Sequence, residues 1–257
     1  MAKAEPLEPD SAGTGGGIVK ASDFYHFEIE DFYYESSPVL QKQSLYLKKQ
    51  GWTSLIGLSG VGKTTLLRCL AGLNGKTLSS QKPSLCYMTQ TDLLLPWAKV
   101  IDNVVIGQHL RDQTRDYDRA NEILKRVGLE KFSSFYPHQL SLGMRQRVAL
   151  ARTLMEDTDV VLMDEPFAAL DAKTRQDLQD YAIQTLQGKT VLLVTHDIGE
   201  VIRLSNRIYI LKGNPAKAIL VDEDHIKNLL EQMPVPRAMN NAHLWQEARC
   251  FLSSLYS

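Results

Sequence analysis

Cysteine is scarce in this chain. Cys69, Cys86 and Cys250 are the three in 257 residues. They are odd in number, far apart and at no metal-ligand spacing, so buried free thiols are the expectation. A surplus of charge of one sign is also missing. Twenty-nine Lys and Arg stand against 30 Asp and Glu, a net charge of −1. No global basic field argues for nucleic acid, and no nucleic-acid partner is expected. No apolar run approaches the ~18 residues that span a bilayer. The first residues contain no apolar stretch suited to a secretory signal, so the chain is expected to be made and kept in the cytosol. Internal repeats and long heptad runs are lacking too. What is plentiful is apolar content, 44%, enough for a substantial core and one or two domains.

One stretch organises the rest: Gly57-Leu58-Ser59-Gly60-Val61-Gly62-Lys63-Thr64-Thr65. It reads G-x-x-x-x-G-K-[ST], a phosphate-binding P-loop. Its glycines let the backbone curl so that successive N–H groups face one anion. Lys63 would reach the β- and γ-phosphates, and the Thr64 hydroxyl would ligate Mg²⁺. Thr53 to Ile56 reads as the strand entering the loop, and Thr64 to Leu70 as the helix leaving it. A helix N-terminus favours a phosphate, and this context separates the motif from a glycine-rich turn with a surface lysine.

Residues 1–17 are rich in Pro, Gly and Glu and read as a disordered tail. Phe27 to Glu30 and Leu45 to Lys49 alternate as half-exposed strands, with Ser36-Ser37-Pro38 read as a turn between them. Ser84 to Thr89 is a strand ending at Gln90, and strand ends near a P-loop collect ligands. Leu93-Leu94-Leu95-Pro96-Trp97 is either a local core or an exposed patch for a partner. From Val100 to Leu129 the pattern is helical, with Ala120, Ile123, Leu124 and Val127 on one face and Gly128 as a stop. Ser141 suits the N-cap of the next helix. Val160 to Asp164 is a buried strand that ends in Asp164-Glu165, and Pro166 stops it. Lys173 to Gln187 reads as an amphipathic helix. Val191 to Val194 is another core strand, ending at His196. Ile208 to Leu211 and Ala218 to Val221 close the sheet, and residues 222–257 read as two helices.

In this order the motifs resemble the ATP-binding subunit of an ABC transporter, over residues of roughly 24–221. Gly57 to Thr65 matches Walker A, Gln90 the Q-loop, and Val160 to Glu165 Walker B with its acid. Leu140 to Met144 stands at the signature, Ala169-Leu170-Asp171 at the D-loop and His196 at the switch histidine. The resemblance implies an α/β P-loop NTPase fold of ABC type: a mixed β-sheet core, an antiparallel β subdomain and a helical subdomain. The ATPase domain would span 18–221, with the helical lobe at about 98–157 and a C-terminal extension at 222–257.

Carried over by position, the resemblance implies ATP and Mg²⁺ as ligands. The loop residues Gly57, Leu58, Ser59, Gly60, Val61, Gly62, Lys63, Thr64 and Thr65 would bind the nucleotide. Asp164 and Gln90 would complete the metal shell opposite Thr64. Glu165 would be the general base, and His196 would clamp the γ-phosphate. Tyr34 falls where the family stacks an aromatic on adenine, with Tyr33 the runner-up. A Tyr packed on a sheet edge is the plainer reading of that position. Two copies would pack head-to-tail, so that Ser141 and Gly143 of one face the nucleotide of the other.

The Leu94 to Trp97 loop, Met144 to Arg147 and Leu211 to Ala216 resemble the nitrate/sulfonate/taurine group and its thiamine-precursor relatives. That implies a homodimer at the cytoplasmic face of the inner membrane, bound to an integral membrane permease. A solute-binding protein would deliver the solute, with hydroxymethylpyrimidine or thiamine favoured as its type. Two rivals remain: a soluble ABC ATPase uncoupled from transport, and a nucleotide-binding subunit with a degenerate signature and little hydrolysis. The second arises from Leu142, which stands at the signature's first glycine. Its place just after an N-cap implies a negative φ that leucine tolerates, so slower turnover rather than none is expected.

Overall fold

The computed structural model describes residues 21–220 together with Gln246 and Cys250. The expected tail at 1–17 and nearly all of the extension at 222–257 lie outside the described residues.

Two sheets share the described residues. β1 (Phe24–Ile29) has the buried–exposed alternation of a strand with one face on a core. β2 (Phe32–Tyr34) and β3 (Ser37–Leu40) form a short antiparallel pair with a register shift at Phe32/Tyr33. β4 (Gln43–Lys48) pairs antiparallel with β1. β5 (Trp52–Gly57) is buried at every position and feeds the P-loop into α1 (Lys63–Leu70). β6 (Thr77–Leu78) completes a three-stranded sheet of order β4-β1-β6. The turn expected at Ser36-Ser37-Pro38 is confined to Glu35 and Ser36, because Ser37 and Pro38 already belong to β3.

After β7 (Leu85–Met88) come four helices: α2 (Val100–Val104), α3 (Ile106–Leu110), α4 (Tyr117–Arg126) and α5 (Leu142–Met155). Ala120, Ile123, Leu124 and Val127 are all buried, the face that the helical period requires. Gly128 ends the run with φ +72°. β8 (Val160–Asp164), α6 (Ala172–Thr185), β9 (Thr190–Val194), α7 (Ile198–Leu204), β10 (Arg207–Gly213) and β11 (Ala216–Leu220) follow. The larger sheet has eight strands in the order β2-β3-β11-β10-β5-β9-β8-β7. Its run from β10 to β7 is parallel throughout.

β8 and β9, at the centre of the parallel run, are buried at every position, which is why Val160 to Met163 and Val191 to Val194 read as unbroken apolar runs. Val161 and Met163 of β8 face a core shared with α2, α4, α5 and α6. Val160 and Leu162 face the other way, onto a core shared with α1, β1 and β4. Burial anchors β8 from two sides, so the acids at its end stand on a rigid strand. No helix among the described residues is long and apolar enough to cross a membrane.

The thiols meet expectation only in part. Cys69 is buried, Cys86 is half-buried and Cys250 is exposed, all three unpaired. Burial pushes the Cys86 thiol up to about 12 and the Cys69 thiol to about 11, so neither is a ready nucleophile.

Candidate active site

The P-loop lies where β5 ends. A Cβ on Gly57 would stand 2.8 Å from the Leu211 carbonyl and 2.9 Å from Val61 Cγ1, so the turn has room only for glycine. Gly62 caps α1 with φ +108°, a conformation that costs other residues strain. Lys63, only 8% exposed, donates to the carbonyls of Gly57 at 2.8 Å and Leu58 at 2.9 Å. Burial lowers its pKa, while Glu165 and Asp164 oppose that shift. Thr64 stays exposed at the start of α1 and donates its hydroxyl to Asp164 Oδ2 at 2.7 Å. Asp164, 1% exposed, has its pKa raised by burial, partly offset by that hydrogen bond.

Three further side chains converge at the ends of adjacent strands. Glu165 follows β8 and adopts φ +50°, a strained conformation for a residue with a Cβ. Its backbone N–H donates to the Val194 carbonyl at 2.8 Å, and its own carbonyl accepts from Gln146 Nε2 at 3.4 Å. Held so, the carboxylate meets His196 Nδ1 at 3.1 Å through Oε1 and Gln90 Nε2 at 3.5 Å through Oε2. The structure thus joins Lys63, Thr64, Asp164, Glu165, Gln90 and His196 by contact or by charge.

The other candidates stand apart from that cluster. Tyr34 is 49% exposed and Tyr33 53%. Tyr34 packs edge-on against Phe32 at 5.0 Å and accepts from Asn74 at 3.5 Å. Its strand pairs with β3, whose Val39 and Leu40 lie beside Gly62, and this sets the hairpin next to the P-loop. Ser141 caps α5, its hydroxyl accepting from Met144 N–H at 3.3 Å. Leu142 is 60% exposed and is absent from the residues of positive φ. A Cβ on Gly143 would lie 3.0 Å from the Ala169 carbonyl, which brings the signature beside the D-loop of the same chain.

The loop after Gln90 resolves both ways. Leu94 is buried, whereas Leu93 (62%) and Trp97 (74%) are exposed. The loop is braced from within. Arg145 meets Asp92 at 2.9 Å, and Arg152 donates to the carbonyls of Asp92 and Leu93 at 2.8 and 3.0 Å. Fully buried Asn103 accepts from Leu95 N–H at 2.7 Å and donates to the Leu95, Ala98 and Lys99 carbonyls. The sequence does not reveal the bracing role of these residues, nor that of Arg175 and Glu200 behind His196. A motif search finds ligand contacts and passes over the residues that support them. The one signal was a buried-face position carrying a polar residue, as at Asn103 and Glu200.

A phosphate loop on a parallel sheet, with an acid, an amide and an imidazole at adjoining strand ends, defines a P-loop ATPase of the cassette class. The family model described as ABC transporter matches residues 40–168. An aliphatic sulfonates import ATP-binding protein of Rhodococcus jostii is 43% identical over 233 residues, 83% of this chain and 86% of that protein. A taurine import ATP-binding protein of Rhizobium johnstonii is 34% identical over 233 residues, 84% of this chain and 89% of that protein. A solved dimeric ATP-binding cassette, in a post-hydrolysis state with ADP and Pi, is 27% identical at TM-score 0.66, covering 77% of this chain and 99% of that one. The chain belongs to the ABC transporter family, and it is an ATPase subunit of that family.

Proposed function

We propose that this chain powers solute import through a separate membrane permease, working as a pair of copies that close on two ATP molecules. The observation that carries the chemistry is Glu165, held between His196 and Gln90 above the P-loop. Phosphoryl transfer is catalysed mainly by positioning and charge stabilisation. Glu165 takes the proton of the attacking water. Its backbone, fixed at Val194 and Gln146, aims the carboxylate before ATP arrives. Lys63 exchanges its loop carbonyls for phosphate oxygens, and His196 contacts the γ-phosphate. Ser141 and Gly143 serve the nucleotide on the second copy, and Tyr34 stacks on the adenine.

The oxygens of Thr64 and Asp164, 2.7 Å apart, suit a hard divalent cation, and Gln90 lies against Glu165, the residue after Asp164. These residues would hold Mg²⁺, which neutralises charge on the phosphates. The same reading keeps 18–221 as the ATPase unit and 98–157 as its helical lobe. It sets the chain peripherally on the cytoplasmic face of the membrane, served indirectly by a solute-binding protein. The names of the sulfonate and taurine relatives support a sulfonate-type solute over hydroxymethylpyrimidine.

Calorimetric titration with ATP and Mg²⁺ tests the nucleotide site. The parent should bind, and Lys63→Ala should lose most affinity while keeping its melting temperature. Unchanged affinity in Lys63→Ala contradicts the assignment.

A further inference from the structure

The loop that carries His196 is tied to the D-loop segment by one side chain. Arg175 lies on the first turns of α6, which begins just after Asp171. Its guanidinium donates to the Leu170 carbonyl at 3.0 Å and to Asp197 Oδ2 at 3.2 Å. The same group places Nε 3.9 Å from Glu200 Oε1. Asp197 is the residue after His196, and it caps α7 by accepting from Gly199 N–H at 2.7 Å. Thr195, the residue before His196, donates to Glu200 Oε2 at 2.7 Å and accepts from Asp197 N–H at 3.0 Å. Gln179, one turn along α6 from Arg175, reaches Glu200 Oε1 at 3.4 Å. Both neighbours of His196 are therefore fastened through α6.

His196 itself is 64% exposed at its side chain. Packing around the ring does little to set its direction, which rests on the contact with Glu165 and on the backbone of the 195–197 loop. We infer that Arg175 is a positioning residue for His196: it locks the 195–197 loop to the 169–171 segment, so that the two move as one unit when the site closes. Planarity matters here, because a fork of fixed geometry holds a carbonyl and a carboxylate in set directions, whereas an ammonium on a flexible stem fixes neither direction. Arg175 Nε is buried and makes no hydrogen bond among the described residues. The gap to Glu200 thus exceeds a hydrogen bond by little, and a small shift of α7 would close it. A misplacement of about 1 Å at a reacting group can cost on the order of 100-fold in rate, so this tether bears on turnover.

The inference rests on the ATPase reading. The test measures ATP turnover, KM and melting temperature in the full chain for Arg175→Met, Arg175→Lys, His196→Ala and the double variant Arg175→Met/His196→Ala. Arg175→Met is expected to lower kcat about 10- to 100-fold with KM and melting temperature little changed. Arg175→Lys should recover only part of that loss. In the His196→Ala background, Arg175→Met should add little, because the group it positions is gone. Losses that multiply in the double variant overturn the inference and make Arg175 a structural residue. Should Arg175→Met melt early, Asp197→Asn replaces it in the same cycle, since it breaks the fork's contact beside His196 and keeps the shape of the cap. A parent chain that binds no ATP overturns the ATPase reading instead, which keeps the two failures apart.

Discussion

His196 Nδ1 stands 3.1 Å from Glu165 Oε1, although 31 positions separate the two residues in the chain. Each follows a core strand, and the strands are parallel neighbours, with Asp164 paired to Val194. The contact is therefore a consequence of sheet register. Any change that slipped β8 against β9 by one residue would turn each side chain to the opposite face.

Leu142 is the residue that departs from the signature pattern. Its exposed place at the first position of α5 leaves nothing in the monomer for it to strain. Its effect is then confined to the approach of a second copy. Leu142→Gly should raise the ATPase rate and leave nucleotide affinity of the monomer unchanged. Equal rates for parent and variant, measured by phosphate release, would show the leucine to be neutral.

Trp97 is 74% exposed on a loop that Asn103, Arg145 and Arg152 hold in shape. Burying an aromatic of this size at the centre of an interface commonly dominates binding. Trp97→Ala should weaken co-sedimentation with permease-containing membranes and spare both basal hydrolysis and melting temperature. A fall in melting temperature of several degrees would instead mark Trp97 as part of the fold.

Much of the candidate site was legible because Lys63 and Thr64 follow a glycine turn and the other clustered residues end or follow strands. Gln90, Glu165 and His196 stand at three such ends, and an apolar run followed by a polar residue is visible in sequence. Ser37-Pro38 was less legible. Turn residues opened a strand there because β3 pairs with β2 and, through Leu40 and Ala216, with β11. Leu93 to Trp97 divides between core and surface, and hydrophobicity alone assigns all five alike. Arg175 and Glu200 escaped because their partners lie on other elements. The pairing of Arg175 with Asp197 spans 22 residues, which no local period reports.

Glu200 gives a prediction about stability against pH. It is 4% exposed, and burial is the main cause that raises its pKa from the ordinary 4.5 to about 7. Thr195, Arg175 and His196 oppose that shift, and Asp197 adds to it. Below the ordinary value the carboxyl is protonated in both folded and unfolded chains. As pH rises toward 7 the unfolded chain ionises first, so stability falls through that window and levels off above it. Glu200→Gln removes this dependence. Relative to the parent, it should gain up to ~3 kcal/mol between acid and neutral pH. Denaturant melts at several pH values check this, and parallel curves for parent and variant would contradict it.

Glu165 as the base of an ATPase whose two copies close around nucleotide is open to a direct test. Glu165→Gln keeps the shape and removes the base, a loss of about 10²–10⁴ in rate. The Thr64–Asp164 pair and Lys63 are untouched, so ATP binding should survive. The decisive measurement is light scattering coupled to sizing chromatography of Glu165→Gln with and without ATP and Mg²⁺. A shift from monomer to dimer is expected on adding ATP, with hydrolysis reduced to the stated extent. A chain that binds ATP and stays monomeric would contradict the paired-copy mechanism, and undiminished hydrolysis would contradict the role of Glu165.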